Sequence, residues 1–179
     1  MCKHRINNRY RLLFLFAGTL VMMAVMAKTG ATLKTPATAI GIIDLEFAYS
    51  SEKAFTVINA WKNGPVDKIP AAKNNTFFDF IFLFFYSLFL YHTCKLIAVS
   101  FSGFLWITGR LTAKLTLAAG LLDVFENVGM LITLQGHISD GCSLLTFIFS
   151  ITKWIIILAA VMYIITSGSL ILYQKIKTD

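Results

Sequence analysis

Four long apolar runs decide what this chain can fold into. They cover residues 12–33, 77–100, 111–135 and 144–173. A helix that crosses a bilayer needs about 20 predominantly apolar residues, so each run is long enough to span. In hydrocarbon every backbone polar group has to be satisfied within the protein, which makes each run a helix. The expected fold class is an all-α membrane protein: a four-transmembrane-helix bundle forming a single integral membrane domain over residues 1–179. Hydrophobic residues make up 57% of the chain, charged residues 14%, and 16 residues are Phe. Soluble domains carry about 45–50% apolar and about 25% charged residues, so a water-soluble globule is excluded, as are a disordered chain and a collagen-like fibre.

The first run has two readings. Lys3, Arg5, Arg9 and Arg11 form a basic segment before it, and Val25-Met26-Ala27 resembles a cleavage site. A signal peptide is one reading. A retained helix is the expectation, because the apolar stretch is long for a signal and Lys28-Thr29-Gly30 gives no clear mature start. Lysine and arginine placement then sets the orientation. With the N-terminus in the cytoplasm, the inner side holds Lys3, Arg5, Arg9, Arg11, Lys95, Arg110, Lys114, Lys175 and Lys177. The outer side holds Lys28, Lys34, Lys53, Lys62, Lys68 and Lys73, offset by Asp44, Glu46, Glu52, Asp67 and Asp140. Both termini are expected inside, with a bacterial inner membrane favoured. The net charge of +7 belongs to these flanks and to headgroup contacts, so no nucleic-acid partner is expected.

No catalytic signature stands out. Cys2, Cys94 and Cys142 are too few and too scattered for a disulfide framework, no Cys-x-x-Cys occurs, and Cys2 lacks a lipobox. His4 and His92 fall on the inner side and His137 on the outer side, so no three-histidine metal site is expected. Gly-x-Ser-x-Gly, His-Glu-x-x-His and P-loop patterns are missing from the sequence, and neither a metal nor a cofactor is expected. Gly18, Gly120 and Gly129 make no clear small-residue dimer face.

The loop over residues 34–76 is the first extracytoplasmic loop in this topology. Ser50 or Ser51 can cap a helix, and Gly64-Pro65 ends it. Phe55, Ile58 and Trp61 share one face, with Lys53, Thr56 and Asn59 on the other. An amphipathic helix with a Trp is expected to lie in the membrane interface, with a lid packed on the bundle as the alternative. Asn74-Asn75-Thr76 is a glycosylation sequon.

Ionisable residues inside spans carry the most information, because the bilayer makes them expensive. Asp123, Glu126 and Asn127 stand at i, i+3 and i+4, on one helical face with Thr112, Thr116 and Gly120. Asp79, Tyr86 and Thr93 share a face of the second run, and Tyr91, His92 and Lys95 gather at its inner end. Thr146, Ser150 and Lys153 form a stripe that Ala160 and Ser167 continue. Tyr86, Glu126 and Lys153 are each nine residues from the outer end of their run, so all lie roughly 13 Å deep. A polar layer of Tyr86, Glu126, Asn127 and Lys153 is expected, with Asp123 below it and Asp79 above. One lysine cannot neutralise several carboxylates, so at least one acid is protonated, solvated, or paired with a ligand or cation. A buried ion pair that only fixes helix register, or an interfacial Lys153-Trp154, is the alternative.

Short motifs carry two resemblances. Asp44-Leu45-Glu46-Phe47-Ala48, the segment ending Ala60-Trp61, Asp79-Phe80-x-Phe82 and Leu122-Asp123-x-x-Glu126-Asn127 resemble small bacterial four-helix membrane proteins of unassigned function, from about residue 41 onward. That resemblance implies no activity. A more distant architectural likeness is to the sigma-2 receptor and sterol isomerase (EXPERA) group, where Asp44 and Asp79 sit at comparable places. It implies a buried acidic pocket for sterol-like cationic ligands and, in the isomerases, proton transfer. The chain departs from that group at Asp123-x-x-Glu126-Asn127 and Lys153.

The functional expectation is a site of Asp79, Tyr86, Asp123, Glu126, Asn127 and Lys153 that binds a lipid or small amphipathic ligand or docks a membrane partner, with Asp44, Glu46 and Trp61 in the outer loop. One alternative is an intramembrane acid–base enzyme for a lipid-soluble, sterol-like substrate, with Asp123 or Glu126 as acid or base. The other is an accessory subunit of a membrane complex, or a homo-oligomer, for which the Phe-rich second run offers a surface.

Overall fold

The computed structural model describes residues 2–178, with side chains from Arg9 to Lys177. The readings placed on the side chains of Cys2, Lys3, His4 and Arg5 lie outside the described residues. Helix α1 spans Cys2–Gly30 and runs into a 3₁₀ turn at Ala31–Leu33. Two short helices follow, α2 over Ile42–Glu46 and α3 over Ser51–Lys62. Three long helices complete the chain: α4 over Ile69–Ala98, α5 over Gly103–Leu134 and α6 over Asp140–Thr178. Four helices are long and apolar enough to cross a membrane, and the protein is an all-α, multi-pass membrane bundle.

Neighbouring long helices run antiparallel, as their contacts show. Phe14 and Phe16 of α1 meet Phe85 and Phe89 of α4, while Asn75 near the start of α4 donates to Met26 O near the end of α1. Along the α4–α5 seam, Asn127 bonds Asp79 and Tyr86 bonds Asp123. On the α5–α6 side, Lys153 meets Asp123 and Tyr163 OH donates to Leu105 O. The chain termini therefore share one end of the bundle, the terminal end. Helices α2 and α3 close the opposite, capped end.

Each helix outruns its apolar run. Helix α4 starts at Ile69 because Pro70 is tolerated in a first turn, so the Asn74-Asn75-Thr76 sequon lies inside a helix. Asn75 is fully buried there and donates to Thr29 Oγ1 at 2.6 Å. Helix α6 has 39 residues, about 58 Å at 1.5 Å per residue. That is nearly twice the roughly 30 Å of hydrocarbon, so α6 projects beyond it. The turn after α5 is a Schellman cap: His137 N donates to Ile132 O, Gly136 N donates to Thr133 O, and Gly136 takes φ 98°.

Small residues set the helix crossings. A Cβ on Gly18 would strike the Phe85 ring, one on Gly120 would strike Ser87, and one on Gly129 would strike Thr146. Close approach at these points supplies the packing that lipid-solvated helices need in place of hydrophobic burial.

The cap differs from the interface helix read from Phe55, Ile58 and Trp61. Ala54, Val57, Ile58 and Trp61 are the buried positions of α3, while Phe55 is 55% exposed. They form one apolar cluster with Leu33, Leu45, Ala48, Ala72, Met130 and Leu134. Trp61 is the centre of that cluster, its Nε1 donating to Leu33 O at 2.8 Å and to Thr38 Oγ1 at 3.2 Å. It is a core residue of the cap and not a headgroup anchor. The buried face keeps Ile58 and Trp61 and turns away from Phe55 toward Ala54 and Val57, which brings it onto the ends of α4 and α5. A second apolar cluster, of Tyr86, Leu90, Cys94, Ala113, Ala160 and Tyr163, lies toward the terminal end.

Candidate functional site

Between the two apolar clusters lies a layer of buried polar groups. Asp123, Glu126 and Asn127 are almost entirely enclosed on one face of α5, as their spacing requires. Lys153 of α6 reaches them, its Nζ lying 2.6 Å from Asp123 Oδ1 and 2.8 Å from Glu126 Oε1. From α4, Tyr86 OH donates to Asp123 Oδ2 at 2.7 Å. Asp79, at one side of the layer, accepts from Asn127 Nδ2 at 2.9 Å. The six residues read from sequence as the membrane site are thus brought together. Thr93, on the same face of α4, is only partly buried and bonds its own helix at Phe89 O.

Glu46 is the member that sequence reasoning places elsewhere. Its position in the chain assigns it to the outer loop, yet its Oε2 accepts from Ser150 Oγ at 3.3 Å and Trp154 Nε1 at 3.4 Å, and lies 3.8 Å from Lys153 Nζ. The geometry of the connection explains this. Ser51, at the start of α3, is tied by its N and Oγ to Asp140 Oδ1, both at 2.7 Å. Ser150 is ten residues further along α6, about 15 Å. Residues 46–51 therefore climb along α6, with Phe47 and Tyr49 both packed on Phe147. Helix α2 thus brings Glu46 against α6, enclosed by protein. Gly41 begins it at φ 72°, which an L side chain rarely adopts. Asp44 takes no part in the layer and accepts from Ile40 N at 2.9 Å. Trp61 is likewise remote from it, in the cap. The signal for Glu46 is its place in an otherwise apolar stretch, Leu45-Glu46-Phe47-Ala48, which suits burial better than a solvated loop.

Three carboxyl groups, Glu46, Asp123 and Glu126, lie within 3.8 Å of the Lys153 ammonium, and a fourth, Asp79, joins the layer through Asn127. With all of them ionised the layer would carry three uncompensated negative charges in a medium that penalises each heavily. Protons on the carboxyls, or a bound group that supplies positive charge or donors, restore the balance. Two acceptors of the layer, Glu126 Oε2 and Asn127 Oδ1, are buried and have no protein hydrogen-bond partner. Among the described residues, no group of three or more His, Cys, Asp or Glu side chains is arranged to hold a metal ion.

Compared with protein-family models, curated proteins and solved structures, the chain matches none. The likenesses to small bacterial four-helix proteins and to the EXPERA group therefore rest on the short motifs alone.

Proposed function

We propose that this multi-pass membrane protein binds the head group of a lipid or small amphipath at its polar layer. The supporting observation is the surplus of buried acid over base, with Glu126 Oε2 and Asn127 Oδ1 lacking protein partners. A head group with a positive charge, or with hydroxyl and amine donors, satisfies both needs at once. The apolar body of the ligand would lie among the α4, α5 and α6 side chains. Helix α2 would contribute Glu46 to the same site. Lysine and arginine placement supports an orientation with both termini in the cytoplasm.

Native mass spectrometry with lipid extraction tests the reading, on wild type beside Asp123→Asn/Glu126→Gln. A specific molecule retained by wild type and lost by the variant is the expected result. Equal contents in both, with unchanged thermal stability, would overturn it and turn attention to a protein partner.

One contact favours a second reading, an intramembrane acid–base enzyme on a lipid-soluble substrate. Tyr86 OH, Asp123 and Lys153 form a continuous hydrogen-bonded chain, a geometry suited to orienting a substrate and moving a proton. Turnover that survives loss of both Asp123 and Glu126 would exclude it.

A further inference from the structure

At the terminal end, outside the polar layer, a cavity of about 300 Å³ opens between α1 and α4. Arg11, His92 and Lys95 line it together with Leu12, Leu96 and Val99. We infer that this cavity is a binding site for a phosphate ester, the head group of an anionic phospholipid, whose acyl chains lie on the apolar surface of α1 and α4.

Three observations carry the assignment. The first is chemical. Arg11 offers a planar fork that matches phosphate oxygens, Lys95 a compact charge, and His92 an N–H donor. The second is that His92 Nε2 is buried without a protein partner, although its ring is held edge-on to Tyr91 at 4.9 Å between centroids. Lys95 lies nearby, exposed, with Nζ 3.5 Å from Tyr91 OH. The third is the charge of the whole end. Arg9, Arg11, Lys95, Arg110, Lys114, Lys175 and Lys177 belong to it, and every Asp and Glu among the described residues belongs to the capped end or the polar layer. No described acidic residue there competes for the three donors.

The cavity also differs from ordinary basic flanking. Arg110 and Lys114 line a second, smaller cavity of about 190 Å³ on α5, where the Arg110 guanidinium sits 5.2 Å over the Trp106 ring. That stack uses one side of the guanidinium on a single helix. The α1–α4 cavity instead joins donors from two helices over an apolar floor, the shape a lipid head and its glycerol require. Binding there would also tie α1 to the bundle at the end opposite its Asn75 contacts.

The test uses the full chain in detergent. Phosphatidylglycerol, phosphatidylcholine and inorganic phosphate are each added to wild type, Arg11→Gln/Lys95→Gln, His92→Gln, and the control Arg110→Gln/Lys114→Gln. Bound lipid is read by native mass spectrometry and stabilisation by thermal unfolding. Wild type and control are expected to retain phosphatidylglycerol over phosphatidylcholine by about tenfold or more, and the Arg11/Lys95 variant to lose that preference. His92→Gln, which removes no formal charge, is expected to weaken it. A stabilisation by inorganic phosphate equal to that by phosphatidylglycerol would keep the phosphate site and assign it to a free anion. Equal retention of the two lipids by wild type, or an equal loss in the Arg11/Lys95 and Arg110/Lys114 variants, would overturn the site.

Discussion

Glu46 Oε2 lies 3.8 Å from Lys153 Nζ, joining a residue of the α1–α4 connection to one a third of the way along the last helix. The contact makes part of that connection a piece of the bundle interior. It follows that residues around Glu46 are shielded from water although they belong to no spanning helix. In a background without the native cysteines, Glu46→Cys and Ala48→Cys are expected to react with a water-soluble maleimide at least roughly tenfold more slowly than Phe55→Cys. Glu46 is 6% and Ala48 3% exposed, against 55% for Phe55. Equal rates at the three positions would show that α2 does not enter the bundle.

Among the described residues, Lys153 is the single cation in contact with Asp123, Glu126 and Glu46. Lys153→Met leaves those carboxyls without it, and removing one partner of a buried ion pair typically costs about 3–5 kcal/mol. Neutralising the acids as well should recover most of that loss, since an isosteric uncharged set is tolerated far better than an unpaired charge. Denaturant unfolding in detergent of Lys153→Met beside Lys153→Met/Asp123→Asn/Glu126→Gln checks the sign. A triple variant less stable than the single one would mean that the acids are held by something other than Lys153.

These two relationships show how far the sequence can be read. The bundle and the polar layer are legible because helical spacing is rigid: i, i+3 and i+4 place Asp123, Glu126 and Asn127 on one face whatever surrounds them. The fixed rise per residue puts Tyr86 level with Glu126, whereas the phenol bonds Asp123, the carboxyl read as one turn deeper. The apolar neighbours of Glu46 hint at its burial, but its partners are not legible, because no periodicity governs residues 34–50 and their path depends on the gap between packed helices. The buried face of α3 escapes the sequence for a related reason. Phe55 and Trp61 are equally apolar, and only the cap's tertiary contacts bury Ala54 and Val57 while leaving Phe55 outside.

Trp61 sits at the centre of the cap, where its ring fills space and its Nε1 bonds two acceptors. Trp61→Ala is expected to destabilise by about 3–5 kcal/mol through the cavity it leaves. Trp61→Phe keeps most of the apolar area. Its loss is limited to about 0.5–1.5 kcal/mol, because Leu33 O still accepts from Thr38 Oγ1 at 2.8 Å. Phe55→Ser, at an exposed position of α3, should fall within about 0.5 kcal/mol of wild type. Thermal unfolding of the three variants in one detergent gives the order, and a Phe55 effect as large as that of Trp61→Ala would reverse the assignment of faces.

Glycine positions separate packing from helix propensity. At Gly120 an added Cβ would lie 2.9 Å from Ser87 Cβ, so α4 and α5 must part to admit it. Gly120→Ala is expected to destabilise by about 1–3 kcal/mol despite the better helix propensity of alanine. A Cβ added at Gly168, in α6, would meet nothing within 4 Å. Gly168→Ala should therefore stabilise, by up to about 1 kcal/mol, from propensity alone. Pairing Gly120→Ala with Ser87→Gly vacates the contested volume and should return part of the loss, a coupling that independent sites would not show. Stability measured over this small set distinguishes a crossing held by close approach from one that merely tolerates glycine: if Gly120→Ala and Gly168→Ala shift stability alike, the α4–α5 crossing is not set by the contact between Gly120 and Ser87.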